Sequence, residues 1–159
     1  MNKQEIVDKI ITKLEGELEL YRRAARAAFE EATDEQSKAE NKYDTRGLEA
    51  SYLARGQARQ VADTEEALGQ LRALALVSFG SQPAIAAWTL VELENRAGRE
   101  WYFLANCAGG TEIRMADQDV LVITPQSPLG SQLLGKKAGD VVTMTIAGKK
   151  QRQNVVSVS

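Results

Sequence analysis

From Val7 onward, the small or apolar residues Val7, Ile11, Leu14, Leu18, Tyr21, Ala25, Ala28 and Ala32 recur in alternating steps of four and three. That rhythm is a heptad seam sustained over about three and a half repeats. Lys, Glu and Arg fill the intervening positions as a solvated face requires, and Gly16 is the one break in the composition. A helix of this length runs about 45 Å, too long to be buried by the rest of a 159-residue chain. The seam must therefore close on a second helix. Leu48 to Leu76 offers one, a proline-free stretch whose stripe reads Ala54, Ala58, Val61, Leu68, Leu71 and Ala75. This stripe is weaker: Glu65 stands at one seam position, and Gly56 and Gly69 each cost about 1 kcal/mol of helix propensity relative to alanine. An antiparallel coiled-coil hairpin turning between Ala32 and Gly47 satisfies both stripes. Pairing with another chain is the alternative.

Composition removes several classes of function. With 43% apolar and 26% charged residues the chain is an ordinary globular one rather than a disordered one. A net charge of −2 gives no broad basic surface, so neither nucleic-acid binding through such a surface nor direct sequence-specific binding is expected. There is no histidine and a single cysteine, Cys107. That excludes a Ser-His-Asp or Cys-His hydrolase, a disulfide framework and a cysteine-based zinc site. No Walker or dinucleotide motif occurs, and Gly109-Gly110 is a loop signal only. Charges interspersed through Met1 to Leu20 leave no signal-peptide pattern, and no apolar run reaches membrane-spanning length. The expectation is a cytoplasmic protein with no membrane partner.

After a linker from Ala73 to Pro83, marked by Gly80 and Pro83, the period changes from 3.5 to 2. Strands are expected at Ala86 to Leu93, Glu100 to Ala105, Asp119 to Thr124, Val141 to Ile146 and Asn154 to Val158, with turns at Asn95 to Gly98 and Gly148 to Lys150. Trp88, Trp101, Tyr102 and Phe103 then serve the core and the sheet faces. The fold class is α+β: a coiled-coil hairpin over residues 1–76 followed by a small β-rich domain over residues 77–159.

Two stretches carry the remaining information. In Ser127 to Asp140, Ser127-Pro128 begins a turn or short helix, because proline fixes φ and lacks an N–H that the first helical turn leaves unused. Leu129, Leu133 and Leu134 bury one face, Gly135 supplies the left-handed C-terminal position, and Lys136 and Lys137 suit the negative end of the helix. Gly139-Asp140 turns the chain into Val141 to Ile146. The second stretch, Thr33 to Asp44, holds Asp34, Glu35, Glu40 and Asp44 against Lys38 and Lys42. Thr33 with Gln36, and Ser37 with Glu40, have capping-box spacing, so helix capping explains these residues without any chemistry.

The order Ser-Pro-Leu, leucine-rich turn, Leu-Gly-Lys-Lys, Gly-Asp and a closing β-hairpin resembles the C-terminal domain of the Gre-type bacterial transcription elongation factors, whose fold is similar to the FK506-binding proteins. The likeness covers roughly Val120 to Val158. At the tip, the family carries Asp-x-x-Glu-Asn followed by a tyrosine. Here Ser37-Lys38-Ala39-Glu40-Asn41 with Tyr43 occupies that place, with Ser37 where the aspartate is expected and Tyr43 one residue closer.

The resemblance implies that the chain is not an enzyme. As the family pattern has it, the protein binds RNA polymerase at the secondary channel as a monomer, with Ser127, Pro128 and Leu129 as the docking loop. The tip acids Asp34, Glu35, Glu40 and Asp44 then help to hold the Mg2+ of the polymerase active site, which hydrolyses backtracked RNA. The chain needs no cofactor of its own. Asp34 or Asp44 could replace the carboxylate absent at Ser37; otherwise the protein is a channel-occupying regulator that does not stimulate cleavage. Two readings from other classes stand beside this one, a peptidyl-prolyl isomerase or chaperone of the FK506-binding type and an adaptor that dimerises through its coiled coil.

Overall fold

The computed structural model describes residues 1–34, 45–74, 83–146 and 149–159. Two helices lead, α1 (Lys3–Thr33) and α2 (Arg46–Leu74). Strands β1 (Thr89–Asn95), β2 (Gly98–Leu104), β3 (Glu112–Met115) and β4 (Gln118–Ile123) follow, then the short helix α3 (Pro128–Leu133), β5 (Val141–Ile146) and β6 (Lys149–Val158). The α+β class is borne out. The chain forms two compact units, one of Ile11–Leu74 and the other of Met1–Ile10 with Ala75–Ser159.

Within Ile11–Leu74 the helices run antiparallel: Glu15 pairs with Arg72 at 2.7 Å and Arg22 with Glu65 at 2.6 Å. Along α1 the expected seam holds, with Leu14, Leu18 and Ala28 buried and Ile11, Tyr21, Ala25 and Ala32 half-buried between them. The α2 stripe needs correction. Its inward line is Ala50, Ala54, Gln57, Val61, Thr64, Leu68 and Leu71, whereas Ala58 and Glu65 are exposed. Steps of four and three lead back from Leu71 through Thr64 and Gln57, so two polar residues occupy the seam. Thr64 satisfies its hydroxyl locally by donating to the Gln60 carbonyl at 2.8 Å. Thr33, a candidate N-cap in the sequence, instead closes α1 and donates to the carbonyls of Phe29 and Glu30. The other capping-box residues, Gln36, Ser37 and Glu40, lie outside the described residues, as do Ala75, Gly80 and Gly148.

The six strands form one mixed sheet in the order β3-β4-β2-β1-β6-β5. All neighbours are antiparallel except β2 and β4, which pair in parallel from Trp101↔Val120 to Leu104↔Ile123. The first three expected strands form with boundaries shifted by a few residues, β5 forms with the bounds expected, and β6 starts earlier, at Lys149. The charged four-residue β3 was not expected. Strand alternation sends Val91, Leu93, Leu104, Ile123, Val142 and Val155 to one face, where Ile85, Leu129 and Leu133 complete a continuous core. Leu90, Phe103, Val120 and Val122 are buried on the other. Ile6, Val7 and Ile10, which fall in this same unit, are wholly buried, and Lys9 Nζ donates to the Arg114 carbonyl at 2.8 Å.

Candidate functional site

The Ser127 loop is built around the carbonyl of Thr124. That oxygen accepts from the Ser127 backbone N–H at 2.9 Å and from Ser127 Oγ at 2.7 Å. Ser127 Oγ in turn accepts from Gly130 N–H at 3.0 Å, which makes Ser127 the N-cap of α3, and Pro128 takes the first helical turn as its missing N–H favours. Leu129 and Leu133 drop into the core. Gly135 is left-handed at φ +76° and its N–H donates to the Ile85 carbonyl at 2.8 Å, while Ile85 N–H donates to the Lys136 carbonyl at 2.7 Å. The segment before the sheet thus clamps the end of α3.

Sequence reasoning passed over the glycine inside this loop. A Cβ on Gly130 would lie 2.0 Å from the Thr124 oxygen, closer than any real side chain approaches. The signal was present, since a glycine within a capped helical turn has no propensity reason to be there. Of the three loop residues named from the sequence, Ser127 is held by its capping bonds, Leu129 is buried and Pro128 is exposed. With its hydroxyl engaged internally, the loop has the makings of a rigid recognition surface. Beside it, Gln132 accepts the outward N–H of Thr143 on edge strand β5 at 3.3 Å, covering part of an edge that would otherwise invite strand pairing.

At the hairpin end the structure places Asp34, exposed, just after the last turn of α1. Glu35, Ser37, Glu40, Asn41, Tyr43 and Asp44 lie outside the described residues. Among the described residues no group of three or more His, Cys, Asp or Glu side chains is arranged to hold a metal ion. No described helix is long and apolar enough to cross a membrane.

The sheet carries two further polar arrangements. Glu92 is buried in β1, where Arg99 Nη1 donates to it at 3.1 Å and Ser157 Oγ at 3.1 Å. Tyr102 donates to Glu100 Oε2 at 2.9 Å, and its burial together with that carboxylate pushes the phenol well above its ordinary value. Trp88 takes a left-handed φ of 67° and packs its ring 6.3 Å from Phe103. None of these groups is a nucleophile beside a base.

Residues 90–159 match the family described as transcription elongation factor GreA/GreB, C-terminal, and the resemblance drawn from Ser127 to Asp140 is borne out over those residues. Similar solved structures include GreA factor homolog 1 (Gfh1) of Thermus thermophilus, 21% identical over 94% of each chain with a TM-score of 0.39. A structure of the transcription factor Gfh1 is 25% identical over 94% of this chain and 93% of that one, with a TM-score of 0.41. The GreA/GreB elongation factor of Nitrosomonas europaea is 17% identical over 60% of this chain and 78% of that one, with a TM-score of 0.37. The comparison with curated proteins gives no match.

Proposed function

We propose that this protein is a transcription elongation factor that binds bacterial RNA polymerase at the secondary channel, with the β-rich unit docking through the Ser127 loop and the hairpin tip reaching the active site. The observation that carries this reading is the family match over residues 90–159. Two features support it. The antiparallel helices lead into a connector with four acids, Asp34, Glu35, Glu40 and Asp44, and carboxylates are the hard oxygen donors that magnesium takes. In this reading the catalytic chemistry belongs to the polymerase, and the chain, acting as a monomer in the cytoplasm, supplies carboxylates to a metal site it does not own.

A second reading, channel occupancy without cleavage, is favoured by Ser37, which removes one carboxylate from the tip pattern. RNA cleavage in a stalled, backtracked elongation complex with magnesium separates the two. Shortened transcripts that vanish with Glu40→Ala, and with Asp34→Ala or Asp44→Ala, identify a cleavage factor and its working pair. Polymerase binding without cleavage identifies the channel-occupying regulator, and absence of binding overturns both.

A further inference from the structure

The end of the sheet formed by the β1–β2 turn carries a groove that the loop and the tip do not use. It encloses about 520 Å³ beside that turn and the first residues of β6. Arg96, Lys150 and Arg152 line it, all exposed, and none of the three pairs with a carboxylate among the described residues. This contrasts with Arg99 at the start of β2 and Arg114 on the far edge strand β3, both held in ion pairs. Among the described residues Glu100 is the one acidic residue in the lining, and it already accepts from Tyr102 at 2.9 Å and Asn95 Nδ2 at 3.4 Å.

The framework beneath these cations is ordered. Asn95 Oδ1 accepts from the N–H groups of Ala97 at 2.7 Å and Gly98 at 3.2 Å, which fixes the turn that carries Arg96. Lys150 and Arg152 are two residues apart on β6, hence on one face and about 7 Å apart along the strand. Three unneutralised cations on a rigid edge form a binding surface for a chain of anions. We infer that this groove binds the phosphate backbone of a nucleic acid without reading its sequence.

The lining chooses between anionic partners. An acidic protein segment gains its affinity from apolar and aromatic anchors seated in pockets, and Ala97 is the sole apolar residue of the lining among the described residues. Backbone binding to nucleic acid rests on Lys and Arg displacing counterions, with side-chain amides as auxiliary donors, and Gln151 and Asn95 supply those amides. Among the described residues no aromatic side chain lines the groove, which argues against base stacking and so for contacts to phosphate alone. The chain's overall charge of −2 makes such binding local and salt-sensitive rather than general.

The test measures fluorescence anisotropy of the full chain with a labelled DNA duplex and, separately, a labelled single-stranded RNA, each of arbitrary sequence; no polymerase is present, so the outcome is independent of the proposed function. Three phosphate contacts predict a slope of log affinity against log salt near −2.7 for the duplex, about a fortyfold loss between 50 and 200 mM, and near −2 for the single strand. The arm with the tighter binding identifies the nucleic acid. Arg96→Glu, Lys150→Glu and Arg152→Glu each weaken binding severalfold and together abolish it, Arg152→Lys largely preserves it, and the unchanged melting temperature of the exposed single variants excludes misfolding. Absence of binding at 50 mM salt, or binding that survives the triple substitution, overturns the inference. Displacement of the nucleic acid by polyglutamate at equal charge concentration also overturns it, in favour of an acidic protein partner.

Discussion

Gly130 sits where a side chain has no room: its position under the Thr124 carbonyl is what lets Ser127 bond both to that carbonyl and to the Gly130 N–H. Gly130→Ala forces the carbonyl and the cap apart, at a cost of about 1–3 kcal/mol, the range for overpacking a close contact. The tryptophan-monitored melting temperature should fall accordingly, and polymerase affinity should fall with it if the loop docks. A variant as stable as the parent would mean that the loop relaxes freely and that its shape is not fixed by this contact. The cap itself was legible, because serine before proline and glycine after a leucine run have individual conformational reasons to be where they are. The burial of Leu129 and Leu133 was legible too, whereas Leu134, expected on the same face, is exposed because it follows the last helical turn.

At the scale of the element, the two helices show why one seam was readable and the other was not. Every seam position of α1 is apolar or alanine, so the four-three rhythm stands out. In α2 the rhythm passes through Gln57 and Thr64, and a reading that follows apolar residues slides to Ala58 and Glu65 instead. The structure gives Glu65 a different task, flanking the seam and bonding Arg22, as Glu15 does with Arg72. These pairs are about half exposed, so their favourable Coulomb energy is screened and opposed by the ordering of two long side chains. A double-mutant cycle on Arg22→Ala and Glu65→Ala, followed by helical circular dichroism, should give a coupling of about 0.2–1 kcal/mol that shrinks as salt is raised. A coupling of several kcal/mol that ignores salt would show that the pair is buried in solution. The short strand β3 escaped the sequence for a related reason. In Glu112–Met115 only Ile113 and Met115 face inward, too brief an alternation to separate from a loop.

For the whole molecule, the two compact units divide α1, whose first turns belong with the sheet and whose remainder belongs to the hairpin. Nothing in the sequence marks that handover, because Val7 continues the same heptad rhythm as Ile11 and Leu14. The division is one of packing: Ile6, Val7 and Ile10 are fully buried and fall in the unit that contains the sheet, whereas Leu14 and Leu18, also buried, fall in the hairpin. Both tryptophans of the chain, Trp88 and Trp101, lie in that unit, so tryptophan fluorescence reports it while helical circular dichroism is weighted toward α1 and α2. Ile10→Ala removes a buried side chain and should cost about 2–5 kcal/mol, lowering the fluorescence-monitored transition. Ala28→Gly, within the hairpin, should cost about 1 kcal/mol of helix propensity and move the dichroism with little change in fluorescence. If Ile10→Ala leaves the fluorescence transition in place, the first turns of α1 add nothing to the sheet's stability, and a fragment of residues 77–159 would be as stable as the same residues in the full chain. If the transition falls as expected, that fragment melts lower than the full chain because it lacks three core residues supplied from the opposite end of the sequence.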